Sequence, residues 1–250
     1  MFSKITPYLR ILHLSILHII VIGGLFYFPL NYYLFSFIFY FLFGAIGISL
    51  IHHRHYSHRC FKKMPKWLEF IGLILGTLAG QGSAIEWAMT HRKHHKKSDT
   101  VEDPHSPLFK NTFLLYWDIL RKRNNVSLLY GKDFFNDKLV VRFHNAYWLI
   151  HAIYVSFLLL MGIKYFMICY AIPIVCIWFA TGYGIAILSH KSGYVNYPTN
   201  DNSKNNLLVG WLMFGEGYQN NHHKFPNDPV LGKKWYEYDL LGNISKKIFC

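Results

Sequence analysis

A chain of 250 residues that is 52% hydrophobic and 18% aromatic, yet carries a formal net charge of +13, is set apart by where those charges fall. A water-soluble domain of this length would spread them along the chain, whereas no Asp, Glu, Lys or Arg occurs between Arg10 and Arg54. The basic excess does not call for nucleic acid, because membrane topology and attraction to anionic lipid head groups account for it.

Taken in chain order, the charge-free stretch after Arg10 is long enough for two helices of about 20 residues, each able to cross a hydrocarbon core of about 30 Å. Phe28-Pro29-Leu30-Asn31 divides them, since proline and asparagine favour a turn. Spans at about 11–30 and about 32–51 are expected. Lys4 and Arg10 precede the first, but no small-residue cleavage site follows, so it reads as an uncleaved anchor. The next apolar run, Phe70 to Ile85, holds Gly72, Gly76, Gly80 and Gly82 beside Glu69. A single crossing there would put His53 and His91 on opposite faces. Lying along the interface over about 67–85, it keeps them together. Two further stretches, separated by Lys164, give spans at about 146–163 and about 165–189. Lys164 alone of the 26 Lys and Arg falls on the far side, so the positive-inside rule places the histidine-rich side and both termini in the cytoplasm. The expected fold is all-α and integral to the membrane, a single domain over 1–250. Four transmembrane helices form two hairpins, with one interfacial helix and a histidine-rich cytosolic cap at 52–145 and 190–250. Cys60, Cys169, Cys176 and Cys250 form no CxxC pair and read as reduced thiols.

Three histidine clusters sit just beyond apolar runs: His53-Arg54-His55-Tyr56-Ser57-His58, His91-Arg92-Lys93-His94-His95 and Gln219-Asn220-Asn221-His222-His223. His190 ends another run. Neutral imidazole is the commonest metal ligand. Eight such rings are more than one metal needs, so two metals at a membrane surface are expected. His91, His94 and His95 stand at i, i+3 and i+4, one face of a helix, with rings to give to two neighbouring metals. Gln219, His222 and His223 repeat the spacing. His53 and His58, at i and i+5, lie about 140° apart on an ideal helix, so the segment must distort or end there. Asp99, Glu102, Asp103 and Glu216 are candidates to accept the free ring N–H of a ligating histidine.

One histidine pair at a helix end is more often solvated than metal-bound, but four such elements on one side are not dismissed that way. His13, His18 and His151 read as helix-packing groups bonded to a neighbour, His144 as interfacial, His52 and His55 as surplus to the pattern, and His105 as a brace for the second cluster. A histidine-lined transporter would place its ligands near the bilayer midplane. Here the mid-span histidines are isolated and the rich clusters lie at span ends, which favours an enzyme.

The order HxxxxH, HRxHH, lone His190 and xNNHH resembles the membrane fatty-acid desaturase family, most closely its acyl-CoA Δ9-type, stearoyl-CoA desaturase-like branch. The wording around the boxes is similar too: Trp87 through His95, Ser98-Asp99-Thr100, Asp103-Pro104-His105-Ser106-Pro107, Ser189-His190 and Gly215-Glu216-Gly217-Tyr218. The likeness runs from about residue 45 to about residue 240, nearly the whole chain. It implies a four-span fold with a cytosolic cap and a di-iron centre that uses O2 and two electrons to introduce a cis double bond into a saturated acyl chain.

Carried over residue by residue, one iron takes His53, His58, His91, His95 and His222. The other takes His94, His190, Gln219 and His223. Gln219 stands where the family has a histidine, and Ala186 where it has an asparagine holding a water; both departures fall on the same metal. Trp87, Arg121 and Lys122 are implied substrate contacts, the basic pair meeting the phosphates of an acyl-CoA or else anionic lipid. The implied substrate is a fatty acyl-CoA or acyl-lipid. With no cytochrome b5-like extension in the 250 residues, a separate ferredoxin- or cytochrome b5-type donor with its reductase is expected. A membrane hydroxylase or ketolase on a similar histidine set is the alternative, separable by product analysis.

Overall fold

The computed structural model describes residues 6–109, 111–122 and 126–250. Among them the fold is helical, with isolated bridges Tyr194–Asn205 and Asn205–Tyr218 in place of any named strand. Helix α1 (Thr6–Gly24) and helix α2 (Leu30–Ser57) are joined by a turn that ends on Pro29. Helices α3 (Lys66–Leu78), α4 (Ala84–Lys97) and α5 (Thr112–Lys122) follow. A 3₁₀ segment, Leu128–Phe134, leads to α6 (Lys138–Asn145), α7 (Tyr147–Met161) and the long α8 (Ile163–Lys191). The chain closes with α9 (Leu207–Leu212), α10 (Gln219–Lys224) and α11 (Leu240–Phe249).

Helices α1, α2 and α8 are long and apolar enough to cross a membrane, and α6 with α7 make a fourth if their 60° bend lies within one span. Large apolar side chains face outward along them: Ile19 is 71% exposed, Leu34 68% and Leu160 88%. Facing water these would form an untenable patch; facing lipid they are at home. The protein is an integral membrane protein.

Several boundaries differ from the expected ones. Helix α1 stops at Gly24, where the paired glycines and a turn over 25–28 come before the proline. Helix α2 does not end near residue 51 but runs through the first histidine box, because no breaker intervenes. It does so with a widened turn. His58 N–H donates to His53 O, five residues back, at 3.2 Å, and Ser57 Oγ donates to His52 O at 2.7 Å. That i→i+5 pattern brings residues five apart nearly into line, which is the distortion that His53 and His58 require. The third expected span is bent at Ala146 and ends at Met161, since Gly162 takes a φ of +120°.

The glycine-rich run forms α3, 13 residues long, too short at 1.5 Å per residue to cross. It packs tightly on α2: a Cβ on Gly76 would meet His52 Nε2 at 2.4 Å and Gly47 O at 2.9 Å. Gly80 and Gly82, with φ of +75° and +90°, turn the chain back. Ser83 and Glu86 then start α4 with a reciprocal capping box. Arg10 reaches the same carboxylate, its Nη2 lying 2.6 and 2.5 Å from the two Glu86 oxygens, and pins α1 to α4. The mid-span histidines are packing groups, as expected. His151 Nδ1 lies 2.6 Å from Tyr170 OH, which lies 2.9 Å from His13 Nε2. The four cysteines are unpaired.

Candidate metal centre

Three helix ends and one short helix bring the boxes together. The end of α2 carries His53 and His58, α4 carries His91, His94 and His95, the end of α8 carries His190, and α10 carries His222 and His223. Helix α10 is short, and its place is set by its asparagines. Asn221 accepts from Asn196 and Asn205 at 2.9 Å each and donates to Glu237 at 2.8 Å. Asn220 accepts from the backbone N–H of Asn196 and Tyr197, both at 2.9 Å. Arg54, 1% exposed, clamps the C-terminal segment to α2: Nη1 donates to Glu216 at 2.6 Å, Nε to Pro229 O at 2.7 Å, and Nη2 to Asp239 at 3.2 Å.

The rings sort into two clusters. In the first, His91 Nε2 lies 2.7 Å from His58 Nε2 and 3.3 Å from His222 Nε2, and His53 Nε2 lies 2.9 Å from His222 Nε2. His95 Nε2 completes it at 3.0 Å from His91 and 2.8 Å from His222. In the second, the ring nitrogens of His94, His190 and His223 converge, with His94 Nε2 and His223 Nε2 3.2 Å apart. Helix α4 thus gives His91 and His95 to one cluster and His94 to the other, and α10 divides His222 from His223 in the same way.

Carboxylates hold the outer nitrogens. Glu216 lies 2.6 Å from His53 Nδ1, Asp103 2.9 Å from His94 Nδ1, Asp99 3.0 Å from His190 Nδ1 and Asp201 2.5 Å from His223 Nδ1. Each contact directs the N–H outward and the Nε2 lone pair inward. Glu102 takes no part; it pairs with Lys97 at the surface. Asp201 was not among the sequence candidates. It lies in an irregular loop 22 residues before its histidine, where no helical spacing marks it. Burial first, then the neighbouring imidazoles, hold His58, His91, His95 and His222 well below the usual histidine range. Burial also pushes His223 down to about 4 against the pull of Asp201. At His94 burial opposes the charge, but Asp103 prevails and the pKa rises. Burial would raise Asp103, Asp201 and Glu216, yet their histidine partners, with Arg54 beside Glu216, hold all three below the carboxylate range.

The donor set fits metal. Five imidazole nitrogens facing one another at hydrogen-bond distance cannot satisfy each other, because a neutral ring has one N–H and one lone pair. Burial disfavours protonating them, so a cation is what the arrangement suits. Imidazole-rich sites accept iron, zinc, copper or nickel.

A cavity with about 70 Å³ of open space adjoins the clusters, lined by Trp87, His91, His94, His190 and Gln219 together with apolar side chains of α8. Ala186 lines it too and offers no donor. Gln219 is buried beside the clusters, and its Nε2 donates to Glu216 O at 2.7 Å. Trp87 stacks on His91 with ring centres 4.9 Å apart and donates to Gln81 Oε1 at 3.1 Å, and Gln81 donates to Thr181 Oγ1 at 2.5 Å. Gln81 and Thr181 went unnoticed in the sequence because each stands alone in an apolar run. His105 stacks on His94 at 4.1 Å, the expected brace. His55 turns away, toward Glu69 and Phe61. Arg121 and Lys122 end α5, and their side chains lie outside the described residues.

The sequence profile of the fatty acid desaturase family matches residues 8–249. A stearoyl-lipid 9-desaturase of Synechocystis is 37% identical over 209 residues, 82% of this chain and 65% of that protein. One of Anabaena variabilis is 36% identical over 205 residues, 80% of this chain and 74% of that protein. An acyl-CoA 5-desaturase of Anemone leveillei is 31% identical over 250 residues, 93% of this chain and 76% of that protein. This chain therefore spans just under two thirds of the Synechocystis relative and about three quarters of the other two. With its histidine boxes folded into two carboxylate-backed clusters, the chain belongs to the fatty acid desaturase family.

Proposed function

We propose that this protein is an O2-dependent di-iron acyl desaturase that makes a cis double bond at carbon 9 of a saturated fatty acyl chain. The observation that carries the reading is the pair of histidine clusters beside a narrow, mostly apolar cavity. One iron would be held by His53, His58, His91, His95 and His222, the other by His94, His190, His223 and Gln219. When bound, the irons supply the oxidant, drawn from O2, that breaks an unactivated C–H bond, which no side chain can do. The protein's own part is to hold and shield. Glu216, Asp99, Asp103 and Asp201 fix the rings, and the cavity walls align two adjacent methylenes and exclude water. The balance is one hydrogen from each methylene, two electrons and two protons, with O2 reduced to two waters. The electrons come from a separate ferredoxin- or cytochrome b5-type donor.

The chain would form one domain of four spans in two hairpins, with the clusters and both termini cytoplasmic. Cysteine labelling near positions 62, 97 and 205 tests this, and reaction of any of them from the far side overturns it. For the reaction, cells expressing the chain should gain a cis-9 unsaturated acid in air and none without oxygen. A hydroxylated acid as the main product would move the protein to the hydroxylase alternative.

The carrier has two readings. The basic end of α5 supports acyl-CoA; the names of the two cyanobacterial relatives support an acyl-lipid. Arg121→Ala with Lys122→Ala decides between them. The acyl-CoA reading requires a raised KM for acyl-CoA at unchanged metal content, and activity confined to lipid-bound chains rejects it.

A further inference from the structure

Carboxylates orient the rings of His53, His94, His190 and His223 directly. Among the described residues His58 has no such pair. Unlike His91, His95 and His222 it does not lie within a helix but just past the last turn of α2. The chain leaves α2 there, with Arg59 at a φ of +56°. The last carbonyls of a helix have no helical N–H ahead of them, and Arg92 of the second histidine box reaches across to supply donors. Its Nε donates to Ser57 O at 2.9 Å and its Nη2 to Tyr56 O at 2.7 Å. Nη1 donates to Tyr130 O at 2.8 Å, and the two Nη atoms meet the oxygens of Asp133 at 2.7 and 2.9 Å. A guanidinium has five N–H groups, and each of the five has an acceptor here. The buried ring of Phe134 backs it, with its centre 4.6 Å away.

We propose that Arg92 is a positioning residue for the first cluster: by gripping the Tyr56 and Ser57 carbonyls it sets the His58 ring against that of His91, its own neighbour in the chain. The inference rests on the di-iron reading above and concerns only the metal held by His53, His58, His91, His95 and His222. His91 Nε2 lies 2.7 Å from His58 Nε2, one ring on α4 and the other at the end of α2, the two elements that the guanidinium joins. Release of the carbonyls frees the residue that carries the His58 ring, while His94, His190 and His223 keep their carboxylates. Lysine does not replace this grip. Its ammonium brings the charge that suits a helix C-terminus, but a single nitrogen cannot span the acceptors that the planar fork meets from three.

The test loads purified protein with iron, titrates with a competing chelator and counts metal per chain. In Arg92→Lys one of the two irons should leave at a chelator concentration about 10- to 100-fold lower than in the wild type, and the other should not move. Asp133→Asn keeps both carbonyl bonds of Arg92 and should follow the wild-type curve. In a His223→Ala background, Arg92→Lys should still weaken the remaining iron; in a His58→Ala background it should add nothing. A wild-type curve for Arg92→Lys, an equal shift of both irons, an equal shift in Asp133→Asn, or a full further shift on top of His58→Ala overturns the proposal. Should Arg92→Lys not accumulate, Arg92→Gln takes its place, and a wild-type curve for that variant overturns it equally. A wild type that takes up no iron at these histidines overturns the di-iron reading and this inference together. Two bound irons with no unsaturated product refute the desaturase reading alone.

Discussion

Asp201→Asn probes the second cluster without touching a ring that faces inward. Asp201 Oδ2 lies 2.5 Å from His223 Nδ1, while Oδ1 accepts from Ser203 N–H at 3.0 Å, so the loop geometry has support beyond the histidine. The asparagine is nearly isosteric and can still accept a bond, but the negative charge is gone. Charge-assisted bonds are roughly twice as strong as neutral ones, and losing an outer partner of a metal-bound histidine typically costs about 10- to 100-fold in metal affinity, or about 1.4 to 2.7 kcal/mol. The surface carboxylate Asp133 is the control. It meets Arg92 at 2.7 Å and Arg59 at 2.6 Å but is 40% exposed, so Asp133→Asn should cost at most about 1 kcal/mol of stability and leave metal binding alone. The assay loads purified protein with iron, titrates with a competing chelator and counts metal per chain. One of two irons should leave Asp201→Asn at a chelator concentration about 10- to 100-fold lower than in the wild type. A curve superposable on the wild type would show that Asp201 does not tune the cluster, and the outer carboxylates would then be packing groups only.

Gln219→His would add an imidazole to the cluster with three, and should raise the chelator concentration that removes its iron; earlier loss would show that Gln219 does not face that metal. Arg54→Met strands Glu216 and Asp239 in the interior, so the detergent-solubilised protein should lose about 3–5 kcal/mol and melt far below the wild type. An unchanged melting temperature would mean that the clamp contributes nothing. Gly76→Ala forces a methyl onto His52 and the Gly47 carbonyl, and should destabilise by about 1–3 kcal/mol in the same melt, where a stabilised variant would contradict the tight packing of α3 on α2.

What was legible in the sequence was whatever repeats at helical or bilayer period. The i, i+3, i+4 spacing of His91, His94 and His95 announced a trio that serves two sites, and the charge-free run after Arg10 announced a helical pair. Even the distortion at His53 and His58 could be foreseen, though not that it would take the form of widened i→i+5 turns. What was not legible depends on contacts with no local signature. Arg54 read as one more positive charge on the cytoplasmic side, yet its partners Glu216 and Asp239 lie 162 and 185 residues away. Asp201 reaches His223 only because asparagines fold the loop after α8 back onto α10. The bend at Ala146 was invisible because hydropathy along a window carries no direction.

Most of the supports converge on one point, the relative placement of α4 and α10. Each helix carries rings for both clusters, so neither cluster can shift without disturbing the other. Arg10 and the Ser83–Glu86 cap fix the start of α4, while Arg54, Asn220 and Asn221 fix the approach to α10. Arg54, Asn220 and Asn221 are buried polar groups with several partners each, costly to leave half-satisfied and therefore resistant to small displacements. A bundle held by apolar packing alone could slide by a fraction of a turn at little cost. Buried charge and amide networks remove that freedom where it matters, at the two short helices whose rings must meet within hydrogen-bond distance. The two clusters differ in size, five imidazoles in the first and three in the second, and both reach the cavity, the first through His91 and the second through His94 and His190.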